Sequence, residues 1–125
     1  MLPRENRLTK MKDYEILFKE GIFCGASLIT AKIWKIQPEK YSRRKYTLED
    51  LKIGFLVSKK VSKRAVDRNR LKRQMREVIR LLLKDKRIDS GYMIAFSAKN
   101  NSLDAEYKNI EDNINHLLHR AHCLV

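Results

Sequence analysis

Lysine, arginine and asparagine recur between Lys59 and Arg80 at spacings that gather them on one side of a helix, and the chemistry they offer is anion binding. Lys72, Arg76 and Arg80 follow i, i+4, i+8, with Asn69 and Arg73 in the same arc; Lys59, Lys60, Arg64, Arg68 and Arg70 precede or flank it. Residues 59–87 carry 13 Lys and Arg against 3 Asp and Glu, a net +10 out of +13 for the whole 125-residue chain. Charge concentrated in this way suits a polyanion, because each neutralised phosphate releases counterions. Like charges at i, i+4 each cost a few tenths of a kcal/mol in an isolated helix. Glu77, near Arg73 and Arg80, offsets only part of that repulsion. An ordinary solvated face mixes signs more evenly, so ligand binding is the preferred reading.

A catalytic centre is not evident. The four glycines are scattered and form no phosphate-cradling loop, dinucleotide fingerprint or nucleophile elbow. His116, His119 and His122 recur every third residue, but such steps rotate around a helix and no carboxylate or thiolate completes a metal site. Histidines interacting with a helix C-terminal dipole are the simpler reading. Asp13, Glu15, Glu49 and Asp50 have no evident partners. Tyr14, Leu17 and Phe18 share one side of a helix, and Lys32 and Trp34 share one face of a strand. Rings so placed either join a core or stack nucleobases, and the sequence leaves both readings open for Tyr14 and Phe18.

The elements that must position these groups follow from periodicity and punctuation. Thr9 is a candidate cap for a helix over residues 10–20, with Gly21 placed to end it. Residues 26–36 read as a strand with Thr30, Lys32 and Trp34 on one face and Ile29, Ala31 and Ile33 on the other. Residues 37–50 read as a polar connection, and residues 52–57 as a second strand. Ser62 is the expected N-cap of the basic helix, whose apolar stripe is Leu71, Met75, Val78 and Leu82, with Ile79 at its margin. Residues 92–96 form a buried strand, and Asn101-Ser102 is expected to cap a last helix with the stripe Tyr107, Ile110, Ile114 and Leu117. A single α+β domain over residues 1–125 results, with residues 1–8 a flexible basic arm and 119–125 a loose C-terminus. No apolar run approaches the ~20 residues of a membrane span, and no secretory pattern opens the chain. Cys24 and Cys123 read as free thiols of a cytoplasmic protein.

Ser58-Lys59-Lys60, Arg64-Ala65 and Arg68-Asn69-Arg70 followed by Lys72-Arg73 and Arg76-Glu77 resemble the signature of the bacterial ribonuclease P protein component. Asn6-Arg7-Leu8, Asp13-Tyr14, Phe18-Lys19, Gly21 and Ile53-Gly54-Phe55-Leu56-Val57 fall in that family's order, so the likeness spans roughly residues 6–118. The resemblance implies a four-stranded sheet with three helices in the order α-β-β-β-α-β-α and a left-handed crossover, an exception to the usual hand. It implies a subunit of an endoribonuclease that removes the 5′ leader from precursor tRNA, with an RNA as catalyst. The partners would be ribonuclease P RNA and precursor tRNA, with no membrane and no obligate protein partner. Magnesium ions would be held mainly by the RNA, with the protein aiding their affinity. Carried over by position, Arg68, Asn69, Arg70, Lys72, Arg73 and Arg76 would contact the catalytic RNA. Tyr14, Phe18, Lys32 and Trp34 would line the leader cleft. Tyr14 stands where the family usually has Phe, and Phe96-Ser97-Ala98 precedes Lys99 where an Arg commonly follows the strand.

Two other classes compete on residues alone. A structural RNA-binding protein of ribosomal type would carry similar charge without needing an aromatic cleft. A major-groove DNA reader would need a supporting helix before residue 59, where a strand is expected instead.

Overall fold

Alternation along one strand divides the molecule. In the computed structural model, which describes residues 2–125, Ile29, Ala31 and Ile33 are buried against one layer of helices while Trp34 is buried under another. The elements are α1 (Met11–Glu20), β1 (Ile22–Gly25), β2 (Ile29–Lys35), β3 (Leu51–Leu56), α2 (Ala65–Lys84), β4 (Tyr92–Ala98) and α3 (Tyr107–Arg120). This is the order expected from the family resemblance. The strands form one mixed sheet, β1-β2-β4-β3, in which only β3 and β4 are parallel. The helix α2 makes the crossover between those two parallel strands.

The larger core lies between the sheet and α2 with α3. Leu71, Met75, Val78 and Ile79 face inward from α2; Ile110, Ile114, Leu117 and Leu118 do so from α3. Each fully buried side chain of this size contributes roughly 1.5–3 kcal/mol. Ile79 takes the fully buried place expected of Leu82, which lies at the edge and is only partly covered. The smaller core, on the opposite face, joins Ile16 and Leu17 of α1 to Trp34, Ile36, Tyr46, Met93 and Ala95.

Several local expectations are corrected. Lys10, not Thr9, occupies the α1 cap and makes no side-chain capping bond. Gly21 ends α1 in an extended conformation; its value is space, since a Cβ there would lie 2.6 Å from the Leu17 carbonyl. The run Ile22–Gly25 is a separate short strand hairpinned to β2, with Phe23 opposite Lys32. The final helix starts at Tyr107 with Glu106 as its cap, and Asn101-Ser102 belongs to a preceding turn of 3-10 helix.

Both ends of the described stretch are docked. Leu2 and Leu8 are buried, Arg7 bridges to Ile53, and the Leu8 amide donates to the Ile53 carbonyl at 3.1 Å. Met1 alone of the expected arm lies outside the described residues. At the other end Cys123 is fully buried, and the Val125 amide donates to the Arg87 carbonyl at 2.8 Å. The segment between β2 and β3, read from sequence as a polar connection, contains a kinked 3-10 run, Pro38–Arg44. It is fastened by Asp13, which is 4% exposed and accepts hydrogen bonds from Arg44 (2.7 Å) and the Tyr46 hydroxyl. Asp13 therefore has the partners that the sequence did not reveal. Among the described residues no helix is long and apolar enough to cross a membrane.

Candidate nucleic-acid interface

The geometry of α2 is set by the eight residues before it. Val57 and Val61 are buried and pin the turn that leaves β3, so Lys59 and Lys60 stand exposed between them. Ser62 lies before the helix rather than at its cap, which is Arg64. The Ser62 hydroxyl donates to Asp67 at 3.1 Å and accepts from the Arg64 amide at 3.2 Å. Asp67 sits in the first turn of α2, where the helix dipole favours a carboxylate.

The cations are not equivalent. Asn69 and Arg73 are exposed and make no side-chain hydrogen bond or ion pair among the described residues. Lys72 and Arg76 are half-buried at one flank of that arc, where the Arg76 guanidinium lies 6.0 Å from the centre of the Phe55 ring. Arg68 is held by the Ser62 carbonyl at 3.0 Å, and Arg70 by the Leu103 carbonyl at 2.8 Å. Arg64 is exposed, 4.0 Å from Asp67. Arg80 is committed to Glu77 through a forked pair at 2.7 and 2.9 Å, which draws the Glu77 carboxyl below its ordinary range. Free charge on α2 is thus greatest at its middle turns, around Arg73.

Beside Lys72 and Arg76 opens a cleft of about 290 Å³, bounded by Arg7, Thr9, Tyr14, Gly54 and Phe55. The Tyr14 ring reaches it from α1, and its hydroxyl donates to the Leu8 carbonyl at 2.9 Å. Partial burial raises the Tyr14 phenol above its usual pKa. Gly54 makes this possible, because a Cβ at that position would overlap the Tyr14 hydroxyl. Phe18 lies one helical turn on, 48% exposed and stacked on Tyr14 at 6.2 Å with 24° between the rings. Beyond them runs the part of the sheet that α1 leaves open. Lys32 stands there half-exposed, with Phe23 opposite it in register.

Trp34 does not join this cleft. It is only 4% exposed, with Tyr41 and Tyr46 edge-on against it at 5.7 and 5.6 Å. Its strand face was read correctly, but the Pro38–Arg44 segment covers that end of the face. The sequence reading did not assign Arg7, Thr9 and Phe55 to the cleft they line, nor Phe23, which is 64% exposed beside Lys32, to the open sheet face. The apolar run Ile22-Phe23-Cys24 between two glycines was the available signal for a hairpin strand carrying Phe23.

The chain as a whole is similar to known proteins. A family model described as Ribonuclease P matches residues 2–122. A ribonuclease P protein component of Pseudanabaena sp. (strain PCC 6903) is 32% identical over 124 residues, spanning 99% of this chain and 97% of that protein. One from Clostridium botulinum (strain Loch Maree / Type A3) is 35% identical over 118 residues, spanning 94% and 96%. The fold matches the RNase P protein of Staphylococcus aureus with a TM-score of 0.76 at 22% identity, covering 96% of this chain and 98% of that one. The corresponding match to the RNase P protein of Thermotoga maritima has a TM-score of 0.73 at 22% identity, covering 91% and 96%. With the family matched over nearly its whole length, the chain belongs to the ribonuclease P protein family, the protein subunits of the endoribonuclease ribonucleoprotein that processes the 5′ end of tRNA.

Proposed function

We propose that the outward face of α2 docks on ribonuclease P RNA while the adjoining cleft takes the single-stranded 5′ leader of precursor tRNA. The observation that carries this is the convergence of Tyr14 from α1 with Lys72 and Arg76 from α2 on one cleft, beside an α2 face led by Arg73 that points to solvent. A groove with rings for bases and cations for phosphates suits a single strand of any sequence. Lys59, Lys60, Arg64, Arg68, Asn69, Arg70, Lys72, Arg73 and Arg76 contribute to the RNA-binding surface, Arg68 and Arg70 within limits set by their carbonyl contacts. Arg80 contributes less, because Glu77 already neutralises it. Tyr14, Phe18 and Lys32 serve the leader.

The reaction is hydrolysis of a phosphodiester by the RNA subunit, and this chain's residues bind and orient. Among the described residues no group of three or more His, Cys, Asp or Glu side chains could hold a metal ion. We assign the magnesium ions to the RNA. The protein would then aid their affinity by fixing the substrate beside them. We place the assembly in the cytoplasm, with precursor tRNA as its substrate.

The test is reconstitution with ribonuclease P RNA. The chain should lower the magnesium concentration needed for cleavage and favour precursor over mature tRNA. Equal affinity for both, across several leader lengths, would sink the leader reading.

A further inference from the structure

A second concentration of positive charge lies away from α2. A cavity of about 410 Å³ between the start of α1 and the Pro38–Arg44 segment is ringed by Arg7, Lys10, Arg43, Arg44, Lys45 and Lys52. Its two carboxylates are occupied locally. Asp13 is taken by Arg44 and Tyr46, and Asp50 accepts the Thr47 amide at 3.0 Å. Arg7, Lys10, Arg43, Lys45 and Lys52 have no carboxylate within 4.0 Å among the described residues. Like charges brought together on a folded surface repel; the two carboxylates offset only part of this charge, and Arg7 and Lys52 otherwise meet only backbone carbonyls, of Leu2 at 2.9 Å and of Glu5 at 3.5 Å.

The cavity is also built rather than incidental. The buried Asp13 fixes Arg44, and with it the turn that carries Arg43 and Lys45. Lys45 holds a left-handed backbone, φ 57°, which a lysine adopts at some cost and which persists only where its surroundings impose it. Arg7 and Thr9 line both this cavity and the Tyr14 cleft, so the two are neighbours with a shared wall.

We propose that this cavity binds phosphodiester groups of the same single strand that enters the Tyr14 cleft, extending the leader's path to residues 43–45. The proposal rests on the leader reading above. Arginine forks and lysine ammonium groups are the donors phosphate takes, and the shared wall at Arg7 leads a backbone from one cavity to the next. The far cavity's one ring, Tyr46, is buried with its hydroxyl on Asp13, so the cavity offers charge rather than an open stacking face and reads length and not base identity.

The test uses enzyme reconstituted with ribonuclease P RNA and precursor tRNAs whose leaders grow one nucleotide at a time. The double variant Arg43→Gln with Lys45→Asn removes two exposed charges, and asparagine tolerates the left-handed backbone. Affinity for the shortest leaders should match that of the unsubstituted protein. Beyond a threshold length it should fall roughly tenfold, and the log–log salt slope should drop by about 1.4, two contacts at about 0.7 each for a single strand. A loss that is uniform across lengths and extends to mature tRNA would overturn the proposal by placing the cavity on another part of the RNA. Weakened affinity for ribonuclease P RNA itself, or no loss at any length, would overturn it as well. If the unsubstituted enzyme shows no dependence on leader length, the leader reading itself fails. If that dependence is present but untouched by the variant, only the extension fails.

Discussion

Replacing Gly54 by alanine tests how the cleft is assembled. A Cβ at position 54 would overlap the Tyr14 hydroxyl and stand 2.9 Å from Cζ and 3.2 Å from Cε1 of the same ring. The ring cannot withdraw freely, because its hydroxyl is tied to the Leu8 carbonyl at 2.9 Å. Losing that hydrogen bond costs about 0.5–1.5 kcal/mol, and the overpacking costs about 1–3 kcal/mol. Against this, alanine is better than glycine in a strand by about 0.5–1 kcal/mol. The expected net loss is about 0.5–4 kcal/mol, read from urea unfolding at constant m. In a Tyr14→Ala background the obstacle is gone, and Gly54→Ala should be neutral or slightly stabilising. The double-mutant cycle should therefore return a coupling of about 1.5–4.5 kcal/mol, the sum of the hydrogen-bond and overpacking costs. An equal cost in both backgrounds would refute the account, since Gly54 would then be needed for a reason unrelated to Tyr14. The single Gly54→Ala variant should also lose leader-dependent affinity, because the displaced ring no longer lines the cleft.

Arg73→Ala should weaken binding to ribonuclease P RNA and reduce the salt slope by about 0.7–0.9; an unchanged slope would mean that this exposed side chain makes no phosphate contact. Asp13→Asn should destabilise the fold by about 2 kcal/mol, because Arg44 and Tyr46 lose a charged acceptor, and limited proteolysis should then cut within residues 38–45; unaltered stability and cleavage would count against the node. Burial, and then the bond to Asp13, pushes the Tyr46 phenol from its ordinary 10.0 to about 12. Burial first of all pushes the Cys123 thiol from 9.0 to about 12. Both folded values are raised, so the stability they confer is complete below the ordinary values and is lost as pH rises through about 12. The melting temperature should fall across that alkaline window, and a flat profile would contradict it. Finally, a single-stranded oligonucleotide should leave the fluorescence of buried Trp34 unquenched; strong static quenching would put a base against the indole.

The basic helix was legible because its two faces repeat over twenty residues, long enough for a 3.6-residue period to fix both the core stripe and the cation arc. Its ends were less so. Ser62 is a favoured cap residue, but its hydroxyl is engaged with Asp67 and the helix begins at Ala65. The cleft was half legible. Periodicity put Lys32 and Trp34 on one strand face, yet what covers each depends on residues far along the chain. Tyr41 and Tyr46 close over Trp34, while nothing closes over Lys32 to the same degree. The pairing of Asp13 with Arg44 spans 31 positions and leaves no local signature. The strand β1 has four residues, two of them exposed apolar ones, too few for alternation to declare itself.

The strand β2 carries a burden of a different kind. Lys32 and Ile33 are neighbours in the chain, yet one faces the open cleft and the other the main core. Heritable change at these positions is therefore partitioned by parity. If Lys32 serves the leader as proposed, a substitution there would retune the affinity for a strand of RNA while the melting behaviour stays put, and one at Ile33 would do the reverse. A single inserted or deleted residue in β2 would exchange the two roles at once, setting a lysine into the core and an isoleucine into the groove. Drift along this strand can proceed by replacement, but not by a change in its length.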